Sequence, residues 1–262
     1  MGSLTMWALG LAAVSALMVA TWAVSVVRRD ASLVDRVWGL GFVVAAWVWA
    51  LLGNGDPTRS WVVVALVTVW GLRLSAHITW RNWGHGEDPR YQQMRARRDA
   101  FAVRSLVTVF GLQALLAAAI AVPLFAVARG TTAFGWLDVV AVGLWTVGFV
   151  FEAGADLQLA RFRADPSNRG RVLDSGLWRH SRHPNYFGDS VVWWSYGVFA
   201  VASGAWWALV GPLLMTLLIV KVSGVALTDR NMSSSPREGH AEYVRRTNAF
   251  FPGPRRSART AA

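Results

Sequence analysis

The feature that most constrains this chain is a succession of apolar blocks, each long enough to cross a bilayer as a helix. The first, Leu4 to Val27, carries no charged residue, and a run of ~20 apolar residues spans the hydrocarbon core of a membrane. Further blocks follow at Val37 to Leu52, Trp61 to Trp80, Leu106 to Val127, Trp136 to Ala160, Asn185 to Val201 and Trp206 to Leu227. In lipid the backbone must satisfy its own hydrogen bonds, so such blocks fold as helices. The pattern predicts an all-α integral membrane protein with seven transmembrane helices, built as a single transmembrane domain over residues 1–262. The first block is longer than the apolar core of a signal peptide and has no basic residue before it, so it reads as a retained span. Pro123 is expected to kink the end of the fourth helix.

Charge sets the orientation. The net charge is +11, which would suit nucleic acid if the arginines formed one patch. They are instead gathered in the loops after the first, third and fifth spans and in the tail, whereas the loops after the second and fourth hold only Arg59 and Arg129. Basic loops stay in the cytoplasm and attract anionic headgroups. The N-terminus is therefore expected outside and the C-terminus in the cytoplasm, in a multi-pass protein of a bacterial inner membrane, with lipids as partners and no nucleic acid. The oligomeric state is not readable. Cysteine is absent, which excludes disulfides, thiolate metal sites and thiol catalysis. The 16 tryptophans cluster near span ends, where aromatic belts sit; Trp193 and Trp194 lie deeper and face core, lipid or a ring-shaped ligand.

The stretch richest in chemistry is Gly176 to Asp189 (GLWRHSRHPNYFGD), in or just before which lie Arg161, Arg163, Arg169, Arg171, Arg179 and Arg182. Pro184 suits the first turn of a helix. Asn185 and Asp189 are one helical turn apart and share a face. A basic loop leading into a helix N-terminus suits phosphate groups. His183 reads either as a donor to a phosphate or ribose or as a cap for the helix amides. Upstream, Glu152 and Asp156 share a face, with Arg163 two turns on; two carboxylates so close need a cation or donors between them. No third carboxylate or histidine falls at helical spacing, so no metal is expected. On the third span Arg73, His77 and Arg81 recur every four residues as one stripe, either functional or glue between helices. Lys221 reads as a snorkelling residue.

Several segments together resemble the steroid 5-alpha-reductase family, in particular its bacterial branch of membrane proteins. They are Asp35 to Gly39 (DRVWG), Trp70 to Leu74 (WGLRL), Gly86 to Tyr91 (GEDPRY), Glu152 to Phe162 (EAGADLQLARF), the Gly176 to Asp189 stretch and Gly211 to Gly224 (GPLLMTLLIVKVSG). In that family the residues matching Asp156, Arg163, Arg171, Asn185 and Asp189 line an NADPH site. The resemblance implies a cofactor-binding half over 134–230, holding NADPH through these residues and through Glu152, Arg179, Arg182, His183 and Tyr186. It implies substrate-side helices over 1–130 and a basic cytoplasmic tail over 233–262. The tail motif Glu242 to Arg246 through Phe250-Phe251-Pro252 resembles the family's closing segment and is expected to dock back on the cofactor loop. Asp189 and Asp229 stand where Glu is commoner. The Glu and Tyr that grip the substrate carbonyl in steroid-reducing members have no assigned counterpart here; Tyr91, His77 and Arg73 are the candidates for the polarising role.

The implied activity is NADPH-dependent reduction of an activated C=C bond in a lipophilic small molecule: a 3-oxo-steroid, an isoprenoid or another enone lipid. No strand–GxGxxG–helix unit is present, so the dinucleotide would not be held in the Rossmann manner. Isoprenylcysteine and phospholipid methyltransferases share the Arg-His-Pro-x-Tyr element, which leaves an S-adenosylmethionine-dependent methyltransferase as the alternative. A non-enzymatic lipid-binding or assembly subunit is a third reading.

Overall fold

The computed structural model describes residues 1–97, 99–225 and 238–256. Among these the chain is helical throughout, with one isolated bridge between Arg171 and Glu238 and no strand. Five helices are long and apolar enough to cross a membrane: α1 (Ser3–Arg28), α2 (Leu33–Leu52), α3 (Pro57–Arg81), α5 (Phe101–Ile120) and α7 (Trp136–Ala164). The other α-helical segments among the described residues are α4 (Pro89–Ala96), α6 (Val122–Val127), α8 (Pro184–Ala202), α9 (Trp206–Val222) and α10 (His240–Arg246), with short 3-10 turns at Pro166–Asn168 and Gly176–Arg179. The chain is thus a multi-pass helical membrane protein. The sixth and seventh expected spans are present as α8 and α9 but fall outside that set. Helix α8 carries Asn185, Asp189, Ser190 and Ser195 among its apolar residues, and α9 is short. The expected end of the seventh span at Leu227, and Asp229 beyond it, lie outside the described residues.

The fourth span differs from its expectation. It begins at Phe101, five residues earlier than expected, includes a π-helical stretch at Leu106–Gly111, and stops at Ile120. Pro123 does not kink it. It lies in the first turn of a separate helix, α6, after Ala121 leaves helical geometry, because proline lacks an amide that the first turn does not use.

The chain packs as two compact units, Met1–Asp138 with Phe199–Gly211, and Val139–Val198 with Pro212–Ala262. In the first, α1 buries Met6, Gly10, Val14, Met18, Thr21 and Ser25, a stripe at the i, i+4 spacing that keeps one face toward its neighbours. Gly10 leaves room for the Trp49 indole, whose Nε1 donates to the Met6 carbonyl at 3.1 Å. Helices α2 and α3 touch backbone to backbone at Gly39 and Gly71, where an added Cβ on Gly39 would lie 2.6 Å from the Gly71 carbonyl oxygen. Helix α3 starts on a complete cap: Pro57 follows Asp56, whose carboxylate accepts the Arg59 N–H at 2.8 Å.

The second unit is built on α7 and α8. Their backbones meet at Gly148 and Gly188, where a Cβ on Gly188 would lie 2.5 Å from the Gly148 carbonyl oxygen. One turn or more deeper in the helix pair, Trp145 donates from Nε1 to the Tyr196 hydroxyl at 2.9 Å, and Tyr196 packs edge-on to Trp193. Trp193 is wholly buried, so it serves the core; Trp194 is partly exposed and donates to Thr216.

Candidate functional site

The site grows from the glycine contact between α7 and α8. Small residues let two helices approach closely, and here the approach fixes the polar residues on either side of it. Glu152 and Asp156, one turn apart on α7, are both buried. Asn185, in the first turn of α8, donates from Nδ2 to the Asp156 carboxylate at 3.0 Å. Its carbonyl oxygen Oδ1 is buried and has no hydrogen-bond partner. A desolvated amide acceptor left without a donor is costly. The backbones are in contact at Gly148 and Gly188, which leaves no room between α7 and α8 at that level.

Helix α8 begins at Pro184, as the sequence predicts. Ahead of it, His183 is buried, donates its backbone N–H to the Ser181 hydroxyl oxygen at 3.1 Å, and stacks its ring on Tyr186 at 5.6 Å. The ring is thus packed into the helix start rather than displayed to solvent. The arginine loop is tied to α7 by two groups that sequence reasoning did not single out. Gln158 accepts the Leu177 N–H at 2.9 Å, and the Trp178 indole donates to the Ala155 carbonyl at 3.0 Å. Gly176 sits at φ 58 against the Gln158 side chain, a place where only glycine is unstrained. Arg163, Arg169, Arg171 and Arg179 are exposed around this loop, and Arg182 is half-buried. Asp165 caps the turn at Ser167, whose hydroxyl and amide hydrogen bonds hold its carboxyl below the usual range.

The tail docks on the loop. The Tyr243 hydroxyl donates to the carbonyls of Trp178 at 2.7 Å and Ser181 at 3.3 Å. Ser181 donates to the Phe250 carbonyl, Arg182 N–H to the Asn248 carbonyl, and Gly253 N–H to the His180 carbonyl. Phe187 of α8 packs edge-on to both Phe250 and Phe251. A polar cavity of about 390 Å³ lies between loop and tail, lined by Arg171, Asp174, Glu238, Glu242, Arg246 and Arg255 among others. Two of its arginines are committed, Arg246 to Glu242 at 2.9 Å and Arg255 to Asp174 at 2.7 Å.

The candidates for a polarising donor lie in the first unit and on two different elements. Arg73 and His77 are half-buried on α3. Tyr91 is on α4, outside the apolar spans, and is buried with its hydroxyl donating to the Asp35 carboxylate at 3.0 Å. Burial, and then the Asp35 charge, push the Tyr91 phenol well above its ordinary value. Arg90 binds the other Asp35 oxygen at 2.9 Å and also Asp88; against desolvation, these partners raise its own pKa. Glu87 accepts from Arg95 at 2.8 Å and from the Ala31 amide at 2.8 Å. Burial alone would raise the Glu87 carboxyl, but the Arg95 and Ala31 hydrogen bonds outweigh it and hold the group below its usual range. The loop before α5 is therefore pinned to the turn between α1 and α2. Asp35 is the residue whose part in this was missed; it stands within a motif quoted for the family, but its partner is 56 residues away.

A family described as a protein of unknown function (DUF1295) matches residues 21–247. An uncharacterized protein of Schizosaccharomyces pombe is 27% identical over 268 aligned positions, which take in 88% of this chain and 75% of that protein. No solved structure matches.

Proposed function

The chain belongs to the DUF1295 family, and from that premise we propose that it is a membrane-embedded, NADPH-dependent reductase of an activated C=C bond in a lipophilic substrate. The observation that carries the reading is Asn185, whose amide nitrogen is anchored on Asp156 while its buried carbonyl oxygen lacks a partner. That oxygen suits the carboxamide N–H of a nicotinamide. The exposed Arg163, Arg171 and Arg179, with Arg182, would bind the phosphates, and charge-assisted bonds to phosphate are the strong ones. The likeness to steroid 5-alpha-reductases over the same residues supports the assignment, with the arginine-rich face toward the cytoplasm.

Bound NADPH supplies a hydride for the carbon beta to the substrate carbonyl. The protein's part is to orient and to handle the proton. Asp156 fixes Asn185, and the Gly148–Gly188 contact sets the close spacing of α7 and α8 that brings these two residues together. Arg73, His77 and Tyr91 are the candidates for polarising the carbonyl oxygen; the Tyr91 hydroxyl would be free for this only on releasing Asp35. The substrate is an enone lipid, of 3-oxo-steroid or isoprenoid type.

One observation favours the other reading. Glu152 and Asp156 are buried carboxylates, which would also suit the cationic sulfonium of S-adenosylmethionine. The test is thermal stability of the purified chain titrated with NADPH, NADH and S-adenosylmethionine, since a ligand of the native state raises the unfolding midpoint. NADPH should raise it, and Asn185→Ala should abolish the rise. Stabilisation by S-adenosylmethionine with none by NADPH would replace the reductase by a methyltransferase.

A further inference from the structure

We infer that the cleft between α2 and α3 is a binding site for an anionic glycerophospholipid. From the Gly39–Gly71 contact toward Arg36 and Trp80 the two helices leave a cleft of about 580 Å³, within the range of small-molecule sites. Its walls are aliphatic, from Val37, Leu40, Leu72 and Ala76. Leu72 and Ala76 are exposed, so the cleft opens sideways, toward the acyl chains of the surrounding lipid. Trp80 and Trp83 flank its mouth and are also exposed, as belt residues at headgroup depth are.

The polar groups in this apolar cleft choose the occupant. Arg36 keeps 18% of its side chain exposed and has one carboxylate partner, Asp30, at 3.2 Å. Its Nε is buried without an acceptor, and so is the hydroxyl of Ser75. Ser75 lies level with Gly39, one helical turn deeper than Arg36. A buried donor without an acceptor costs free energy, so an oxygen at each level would relieve both. A glycerophospholipid has this pattern: a phosphate at the headgroup, ester carbonyls just beneath it, and chains below. Free phosphate lacks the lower oxygens and the tail. A net negative headgroup is favoured by the arginines at this end of the unit, Arg28, Arg29 and Arg81. The inference needs only a membrane-embedded α2–α3 pair and stands whether or not the chain uses NADPH.

The test uses the full chain in detergent, with phosphatidylglycerol, phosphatidylcholine or inorganic phosphate added. Bound lipid is counted by native mass spectrometry and the unfolding midpoint is followed. Phosphatidylglycerol should stay bound as a single adduct and raise the midpoint; phosphatidylcholine should do so weakly and inorganic phosphate not at all. Ala76→Phe, at an exposed position that fills the cleft, should abolish the adduct. Arg36→Gln should weaken phosphatidylglycerol binding about ten-fold, whereas Arg97→Gln, which removes the same charge from an exposed site, should leave it unchanged. Binding by Ala76→Phe as strong as the parent's would overturn the inference. So would equal weakening by Arg97→Gln, which marks diffuse attraction, or a full effect from inorganic phosphate, which marks a free anion.

Discussion

Arg59 and Asp138, 79 residues apart, form a two-pronged ion pair in which Nε donates to Oδ1 at 2.6 Å and Nη2 to Oδ2 at 2.8 Å. Both side chains are essentially shut off from solvent, at 1% and 0% exposure. All five guanidinium N–H groups are used, since Arg59 also donates to the carbonyl and hydroxyl oxygens of Thr132 and to the Ala133 carbonyl, and Asp138 accepts the Gly135 amide as well. The pair clasps the start of α3 to the start of α7.

A clasp of this kind reveals itself when half of it is removed. Asp138→Ala leaves a buried guanidinium uncompensated, a change that costs roughly 3–5 kcal/mol. The double substitution Arg59→Met with Asp138→Leu should recover much of that loss, because apolar residues of similar volume replace buried pairs well. Unfolding midpoints of the three proteins in one detergent check this. A single Asp138→Ala protein as stable as the parent would contradict the burial of the pair.

The sequence made the helices visible and this clasp invisible, for a physical reason. Apolar length is a local property, so the spans and the Pro184 start of α8 could be read along the chain. Arg59 looked like an ordinary loop charge because its partner is distant and its burial comes from tertiary packing. Asp35 escaped in the same way: its motif was recognised, but not that Tyr91 would fold back onto it. Pro123, expected inside the fourth helix as a kink near its end, instead opens the next helix, since a proline suits a first turn. In the cofactor half, Asn185 and Asp156 were legible as polar residues at helical spacing. That they would touch depended on Gly148 and Gly188, which in sequence look like any other glycines of a membrane helix.

Those glycines yield a prediction by contrast. Gly188→Ala places a methyl group against the backbone of Glu152 and Gly148, atoms that cannot turn aside. Separating α7 from α8 should cost about 1–3 kcal/mol and pull Asn185 away from Asp156. Gly143→Ala, on the facing helix α7 with nothing within 4 Å, should instead be neutral or stabilising by up to about 1 kcal/mol. The midpoint of Gly188→Ala should therefore fall while that of Gly143→Ala holds or rises, and an equal effect would show that the helix contact is not close.

Acid should loosen the loop that carries Glu87. Its carboxyl titrates below its ordinary value when folded, chiefly because Arg95 and the Ala31 amide outweigh the cost of burial. A depressed folded pKa contributes stability above the unfolded value, near ~4.3 for glutamate, and that stability is lost as the pH falls through the folded value. Glu87→Gln should lower the midpoint at neutral pH, by the ~1.5–3 kcal/mol of a hydrogen bond to a charged group. The gap between parent and variant should close progressively below about pH 4. A gap that stays constant down to pH 2 would assign the effect to packing.

The docked tail predicts a change in protease sensitivity. Tyr243 joins α10 to the loop through the Trp178 and Ser181 carbonyls, and these flank Arg179, an exposed trypsin site. Cleavage requires local opening, so its rate follows the free energy holding the segment closed. Tyr243→Phe keeps the ring and its packing but removes the donor, at a cost of about 1 kcal/mol for the bond. This corresponds to roughly five-fold faster cleavage after Arg179. Cleavage after Arg97, in a loop of the other unit, should not change and serves as the internal reference. If both sites speed up together, the substitution has lowered global stability; if neither does, the tail does not hold the arginine loop in place.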